Sequence, residues 1–500
     1  MNRRVTLDPV KQNTSGTETS TKERSVQDYI DETPIWRDGT TTPSTPMTRM
    51  QWRIWGLAAA GKFFEGLVVF MTGVALPLIS REFDMNSIQH GVVGAASLAG
   101  ILVGALFLGS LSDYFGRKSM FIVEMVLFII FLVLLSLSPS YVWLVLFLFG
   151  VGVALGCDYP TAHLVISESI PSSARGRLVL SAFGFQAAGA LMGTIVGYLV
   201  LTAVPDETAW RYMYATAIIP ALMVVIGRFS ITESASWLIA HGREQDAARE
   251  ISRLLHRDPP YPKAVKLKAR HKPLAKHENH LTALFNRHNR RATILASVPW
   301  FLQDLGTYGI GIFTPTILAA SLGHVATHHH DITDLITKDI MAAKGAALID
   351  LLLIVGIFAA VMLADKVGRI PLQIAGFIGC AVGLLISALS GYFTGNTQIS
   401  LIFIGFMLFN FMTNMGPNAQ TYLLAGEVFP VYIRARGAGF AAGFAKIGAV
   451  ITAFLFPILL HQIGTQALLF GLIVTSLLGA AITWVFRVET KGRSLDDIDP

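Results

Sequence analysis

Asp304 stands near the middle of "VPWFLQDLGTYGIGIFTPTIL", an otherwise apolar run from Val298 to Leu318. Trp300, Asp304 and Tyr308 are spaced i, i+4, i+8, so one helical face presents an indole, a carboxylate and a phenol. Other apolar runs are interrupted in the same way. Asp158 and Tyr159 lie in "GCDYPTAHLVISE", Gln186 in "FGFQAAG", and Asn410, Asn414 and Asn418 in "NFMTNMGPNAQTYLLAGE". Lys446 lies in "FAKIGA", and Lys62 and Glu65 are spaced i, i+3 in another run. An ionised carboxylate at the centre of a membrane span costs about 2.5 to 3.5 kcal/mol on insertion scales, so it ordinarily faces a cavity and has a task. The chemistry open to this set is proton binding by the acids and capture of a small polar or anionic solute by the amides, phenols and lysines. A structural reading stands beside it. Asp304 could pair with Lys446 or Lys62, Lys62 and Glu65 could staple one helix, and Asp158 could satisfy backbone amides next to a proline. Tyr159, Gln186 and Asn418 could be hydrogen-bond glue between helices, and Trp300 could be packing or a cavity wall.

The elements that position these residues follow from composition. Of 500 residues, 53% are hydrophobic and only 14% charged, with a mean hydropathy of +0.55, far from the roughly one-quarter charged of soluble domains. Apolar runs long enough to cross about 30 Å of hydrocarbon as helix are read near 54–79, 91–111, 120–137, 143–166, 178–203, 212–231, 292–320, 345–364, 371–392, 401–424, 439–461 and 467–486. The expected fold is an all-α membrane protein with twelve transmembrane helices. With the first residue in the cytosol, the inward loops and the tail after span 12 hold 24 of the 39 Lys and Arg, and the outward loops hold 4 (Arg81, Arg211, Lys338, Lys344). That asymmetry places both termini in the cytosol. The formal charge of +6 is therefore topology, and no nucleic-acid partner is implied. Residues 1–48 are polar, without the apolar core of a signal peptide, and read as a disordered cytosolic tail. Cys157 and Cys380 fall in spans of opposite halves and read as packing residues. Asp350 and Glu124 are placed nearer span ends, where solvation or pairing with loops is expected. His328 and His330 in "HVATHHHD" are spaced too irregularly for a metal site, and no metal is expected.

The chain is built twice. "SDYFGRK" after span 2 matches "ADKVGRI" after span 8, pairing Asp113 with Asp365 and Arg117 with Arg369, each 252 apart. "ESIPSSARGR" after span 4 matches "EVFPVYIRARG" after span 10, pairing Glu168 with Glu427 and Arg175 with Arg434, each 259 apart. The same offset aligns Tyr159 with Asn418. The organisation expected is a tail over 1–50, a six-helix half over 51–232, a central loop over 233–290, a second six-helix half over 291–487 and a tail over 488–500. The central loop combines an amphipathic stretch, "SWLIAHGREQDAAREISRLLH", with a basic linker, "PPYPKAVKLKARHKP". A parallel duplication of this kind places a binding cavity between the halves near mid-membrane.

These signals resemble the major facilitator superfamily in its sugar-porter-like branch, over about 440 residues. "GSLSDYFGRK" and "VETKGRSLDDI" carry the resemblance most clearly, and "TESASWL" keeps part of the branch's PESPRWL. Within the superfamily, "GCDYP", "WFLQDLGTYG", "GPNAQT" and "FAKIGA" are similar to phosphate:proton symporters. Span 1 departs from them, with Glu65 alone where they carry two acids, and looks more like bacterial inner-membrane metabolite transporters. The QQxxGxN pattern of sugar porters is absent from span 7. The resemblance implies that Tyr159, Gln186, Trp300, Tyr308 and Asn418 hydrogen-bond substrate while Lys446 supplies positive charge. Asp304 would couple the proton, with Asp158 and Glu65 serving the proton route. Asp113, Arg117, Glu168, Arg175, Asp365, Arg369, Glu427 and Arg434 would act as gates, pairing across the cytosolic face when it closes.

No nucleophile elbow, phosphate-cradling loop or metal box is present, so an enzyme is not expected and no cofactor is implied. The expected function is a proton-coupled symporter of inorganic phosphate or a small organic acid, a monomer in the cell membrane. A sugar or polyol porter and a transporter-like nutrient sensor are the alternatives. Its partners would be the solute, protons and the bilayer.

Overall fold

The computed structural model describes residues 25–32, 47–108, 111–256, 281–323, 332–430 and 433–490. The basic linker, the histidine loop and the end of the last tail lie outside the described residues, as do the side chains of Asp113 and Tyr159. Among the described residues, ten helices are long and apolar enough to cross a membrane. Two more spans complete the expected twelve. Helix Arg290–Gly323, interrupted by Gln303, Asp304, Thr307 and Tyr308, is span 7. Helix Arg434–Phe486 breaks at Gly464 into spans 11 and 12. The remaining spans run Arg49–Glu82, Ser87–Phe107, Arg117–Ser136, Tyr141–Ser169, Ser172–Ala203, Ala209–Phe229, Ile332–Val367, Arg369–Tyr392, Gly395–Glu427. They are numbered 1 to 6 and 8 to 10 in chain order.

Exposed apolar side chains ring the bundle, among them Ile219, Met223 and Ile226 on span 6, Phe358 on span 8 and Val474 on span 12. In water such a surface would drive association; against hydrocarbon it costs nothing, and the helices satisfy their backbone groups internally.

The duplication is legible in atoms. Span 3 starts at Gly116 (φ 94°) and span 9 at Gly368 (φ 111°), left-handed positions that only glycine takes cheaply. The amides that follow are capped by a carboxylate from the end of the same half. Glu233 accepts from the Arg117 and Lys118 amides at 3.0 and 3.1 Å, and Glu489 from the Arg369 and Ile370 amides, both at 3.1 Å. The next residue of each segment, Ser234 or Thr490, donates its hydroxyl to Glu168 or Glu427.

Four expectations need correction. The first concerns residues 1–50, where a disordered tail was expected. Residues 26–31 form a helix with a Ser25–Asp28 capping box, because Tyr29 and Ile30 find apolar cover and Asp31 accepts from the Ser172 amide at 2.7 Å. Second, span 8 begins at Ile332 rather than near Gly345, since Lys338 and Lys344 lie on the helix and not in a loop. Asp350 is consequently near mid-span and buried, not at an end. Third, Glu124 is buried and paired inside the membrane rather than solvated. Fourth, three glycines within one turn and a half, Gly306, Gly309 and Gly311, predict a loosened span 7, and the helix is instead unbroken across them. A methyl added at Gly311 would lie 2.7 Å from the Phe70 ring and one at Gly309 2.9 Å from Thr452, so these glycines admit neighbours.

Candidate functional site

The site is assembled by spans 1, 5, 7 and 11, two from each half. Span 1 reaches it through close contact with span 5: a Cβ on Gly66 would stand 2.0 Å from the Gln186 carbonyl. Lys62 and Glu65, one turn apart on span 1, pair at 2.8 Å. The other Glu65 oxygen faces the second half, where Lys446 of span 11 approaches it at 3.3 Å and Tyr308 of span 7 donates to it at 3.2 Å. Lys446 Nζ also donates to the Tyr308 hydroxyl at 2.5 Å and lies 3.7 Å from Asp304 Oδ2. Gln186 of span 5 donates to Tyr308 at 3.1 Å and to Glu65 at 3.3 Å.

Two lysines and two carboxylates are thus gathered across the seam, and Glu65, Asp304, Tyr308, Lys62 and Lys446 are all buried. Their strengths differ. Glu65 is the hub, with both lysines, a phenol and an amide upon it, whereas Asp304 Oδ2 receives no hydrogen bond and meets only the ammonium at ion-pair distance. The Lys446–Asp304 pair anticipated from sequence therefore exists, but as one edge of a network.

The other singled-out residues are placed elsewhere. Asp158 of span 4 pairs with Arg228 of span 6 at 2.7 Å, and the same guanidinium holds Glu124 of span 3 at 2.8 Å. This buried triad lies within one half, next to span 1, where a Cβ on Gly61 would collide with the Asp158 carboxylate at 1.7 Å. Arg228 also stacks over Phe121 at 3.4 Å. Asn418 donates to Asn414 at 2.6 Å and not to the lysine cluster. Trp300 lies edge-on to Tyr422 with centroids 6.1 Å apart, and Tyr422 stacks on Phe183 of span 5 at 4.3 Å. That stack joins the halves on the side of the cluster nearer the termini. On the far side, Arg81 of span 1 pairs with Asp339 of span 8 at 2.7 Å, and a Cβ on Gly73 would stand 2.2 Å from the Ile312 carbonyl.

Among the gate residues whose side chains are described, pairs form within each half in this conformation. Arg117 meets Glu168 at 3.6 Å, and Arg369 meets Glu427 at 3.2 Å and Asp365 at 2.9 Å. Arg175 donates to Gln27 at 2.8 Å and Arg434 to the Phe429 carbonyl at 3.0 Å. The expectation was pairing across the face; the pairs seen here instead lock each loop to its own half.

Sequence reasoning missed Arg228 as the partner of two acids, and Glu233 and Glu489 as caps. The signal for the caps was present, since both glutamates lie in the tail segments "TESASWL" and "VETKGRS". Nothing in the spacing revealed the Arg228 pairings, because its partners are 70 and 104 residues away.

Comparison with known proteins places the arrangement. A family model described as "Sugar (and other) transporter" matches residues 44–500. YaaU of Escherichia coli (strain K12), named for metabolite transport, is 28% identical over 444 residues, covering 88% of this chain and 92% of that protein. A Schizosaccharomyces pombe protein named for inorganic phosphate transport is 26% identical over 520 aligned residues, covering 91% and 88%. The xylose transporter XylE from E. coli, in a partially occluded inward-open conformation, superposes with a TM-score of 0.72 at 20% identity, covering 89% of this chain and all of that one. At that identity the likeness speaks for the fold alone.

Proposed function

The chain belongs to the sugar (and other) transporter family, within the major facilitator superfamily, and on that footing we propose that it is a proton-coupled symporter of a small anionic solute. It is a multi-pass membrane transporter and not an enzyme. The observation that carries the finer reading is the charge balance of the central cluster. Lys62 and Lys446 are opposed by Glu65 and Asp304, so the empty site is neutral. Glu65 is tied to both lysines and stays ionised. A proton on Asp304 leaves one net positive charge, centred on Lys446 beside the Tyr308 and Gln186 donors. One monoanion restores neutrality.

Proton and anion then favour one another's binding in a poorly screened interior, and the doubly loaded carrier crosses without uncompensated charge. Inorganic phosphate or a small carboxylic acid fits this arithmetic, and relatives carry names of both metabolite and phosphate transport. Tyr308, Gln186 and Lys446 are the solute's first partners in this reading. Asn418 and Trp300 line the approach from the face that bears the termini, and Tyr159 keeps the solute-binding role that the resemblance implies. Alternating access rocks the halves about the cluster, releasing the Phe183–Tyr422 stack on one side and the Arg81–Asp339 pair on the other. The loop arginines and acids keep each half rigid as it moves. Both termini lie in the cytosol and the monomer is the working unit, in the cell membrane.

One observation favours a second reading. The amide ladder of Asn414 and Asn418, with Gln186, offers neutral hydrogen bonds suited to a sugar or polyol. Proteoliposomes offered labelled phosphate, small carboxylates and sugars, with and without an imposed proton gradient, separate the two. Asp304→Asn mimics the protonated acid, so it should bind the anion and exchange it across the membrane while losing accumulation. An Asp304→Asn carrier that still concentrates solute as the parent does overturns the coupling role. Gradient-driven uptake of sugars alone establishes the second reading.

A further inference from the structure

Among the described residues outside the central cluster, one buried acid is paired with no cation. Asp350 lies near the middle of span 8, 2% exposed, where span 8 packs on span 5 of the opposite half and on spans 7, 9 and 10. Asn410 of span 10 donates to its Oδ1 at 3.1 Å. The Thr194 hydroxyl of span 5 borders it, but no hydrogen bond is made to Oδ2. The charged groups of the surrounding spans are engaged elsewhere or distant. On span 1, Lys62 and Glu65 pair together, and on span 7 Asp304 faces Lys446. On span 8 itself Asp339 pairs with Arg81, while Lys344 is exposed and Asp365 and Lys366 lie at the helix end. Span 5 has its charges, Arg175 and Arg177, near its first turn. Span 10 ends in Glu427 and span 9 begins with Arg369, and these two pair together. Among uncharged titratable groups, Tyr308 is held by Lys446 and Cys380 of span 9 lies against the Phe409 carbonyl. Tyr198 of span 5, Tyr422 of span 10 and the exposed Tyr392 at the end of span 9 complete the set.

We propose that Asp350 is a second, exchangeable proton-binding site, separate from the central cluster and placed on the seam between the halves. An unpaired carboxylate is strongly disfavoured in a dry interior, and uptake of a proton removes that cost. The contacts admit a neutral acid: Oδ1 accepts from Asn410, and Oδ2, which receives no hydrogen bond, can carry the O–H toward the Thr194 hydroxyl beside it. The step is simple ionisation, with the O–H bond of the acid broken and the proton passed to water when the span 5 and span 8 contact parts. The carboxylate is reprotonated from water on the opposite side of the membrane, after the halves have rocked and the contact has parted there. With a proton on Asp304 as well, two protons would move per cycle. A monoanion would then be carried with net inward positive charge. This goes beyond the symport reading, and its test needs no transported solute.

The test is infrared difference spectroscopy of the full chain in lipid vesicles during pH titration, reading the carboxylic-acid C=O stretch. The parent should show an acid band at neutral pH that disappears on alkalinisation. Asp350→Asn should remove one carboxyl's worth of that band, and Asp304→Asn should leave this component in place. Asp350→Asn spectra identical to the parent's at every pH overturn the proposal, because the group is then ionised throughout. A component that Asp350→Asn removes but alkali never does also overturns it, since the proton is then not exchanged. Repeating the titration in sodium and in choline adds another overturning result, a band set by sodium rather than by pH. If Asp350→Asn fails to fold, Asn410→Ala removes the donor to Oδ1 and should shift the same component in frequency, and an unmoved band is again fatal to the idea.

Discussion

Two collections of buried charge sit side by side, and they are built on different terms. The central cluster joins both halves, balances two cations against two acids, and leaves Asp304 weakly held. The Glu124–Arg228–Asp158 triad stays in one half, sets one cation against two acids, and fixes the guanidinium further with the Phe121 and Leu57 carbonyls at 2.5 and 3.3 Å. In the proposed cycle, charge that crosses the seam is broken and remade at each turnover, so it can sense what is bound. Charge within a half travels as a rigid body and serves as scaffold. Asp158, which the sequence offers as part of the proton route, belongs by this criterion with the scaffold.

The largest effect should come from breaking the scaffold. Arg228→Met leaves two carboxylates buried without a cation, and removal of one partner of a buried ion pair costs about 3 to 5 kcal/mol. Folded protein recovered from membranes, and its thermal midpoint, should fall sharply. An Arg228→Met carrier with parental stability would remove the distinction between the two centres.

Next comes the cluster. Lys446→Gln should leave the fold intact, because Lys62 still pairs with Glu65, but should weaken anion binding about tenfold to a hundredfold. That is the worth of a charged hydrogen bond, roughly 1.5 to 3 kcal/mol. Competition by phosphate and small carboxylates against labelled uptake measures it. Equal weakening for neutral solutes would show that Lys446 holds the site's shape instead of reading charge.

A smaller shift is expected at the far face. Arg81 is partly exposed and Asp339 is buried, and with water reaching only one partner the pair is expected to contribute about 1 kcal/mol, the upper end for exposed pairs. Arg81→Ala should therefore raise the population open on that side by no more than about fivefold. Labelling rates of a cysteine introduced beside the site, from outside sealed vesicles, report it. A fully open carrier would mean that this pair, and not the span 1 and span 7 backbone contact at Gly73, holds the face shut.

Most of the fold was legible because membrane insertion leaves few options: each apolar run long enough to span had to be a helix, and the repeated loops fixed their pairing. Where charged residues are strung along the first turns of a helix, as Lys338 and Lys344 are on span 8, hydropathy cut the element short, and Asp350 was misplaced as a result. The central site was legible through cost, since Glu65, Asp304 and Lys446 stand out against their surroundings. The partners were not. Arg228 announces a buried charge but not which acids it meets, and Asn418, a solute ligand by resemblance, turns to Asn414. Pairing depends on helix rotation and tilt, which side-chain type does not encode.

The smallest effect concerns the caps that the two halves share. Glu233 lies outside the membrane, in the segment after span 6, and accepts backbone hydrogen bonds from Arg117, Lys118 and Ser234. Burial raises its affinity for a proton above that of an ordinary glutamate at 4.5, outweighing those hydrogen bonds and the nearby Arg117, which act the other way. The folded protein therefore holds this proton better than the unfolded chain does. The stability this contributes is fully present in acid, below the ordinary value, and is lost as pH climbs through the raised one. Glu233→Gln keeps an acceptor for the span 3 amides but cannot titrate. The thermal midpoint of the parent should decline more steeply across that window than the midpoint of Glu233→Gln. Parallel curves would mean that the caps contribute to the halves as neutral geometry, equally at Gly116 and Gly368, with no part played by their charge.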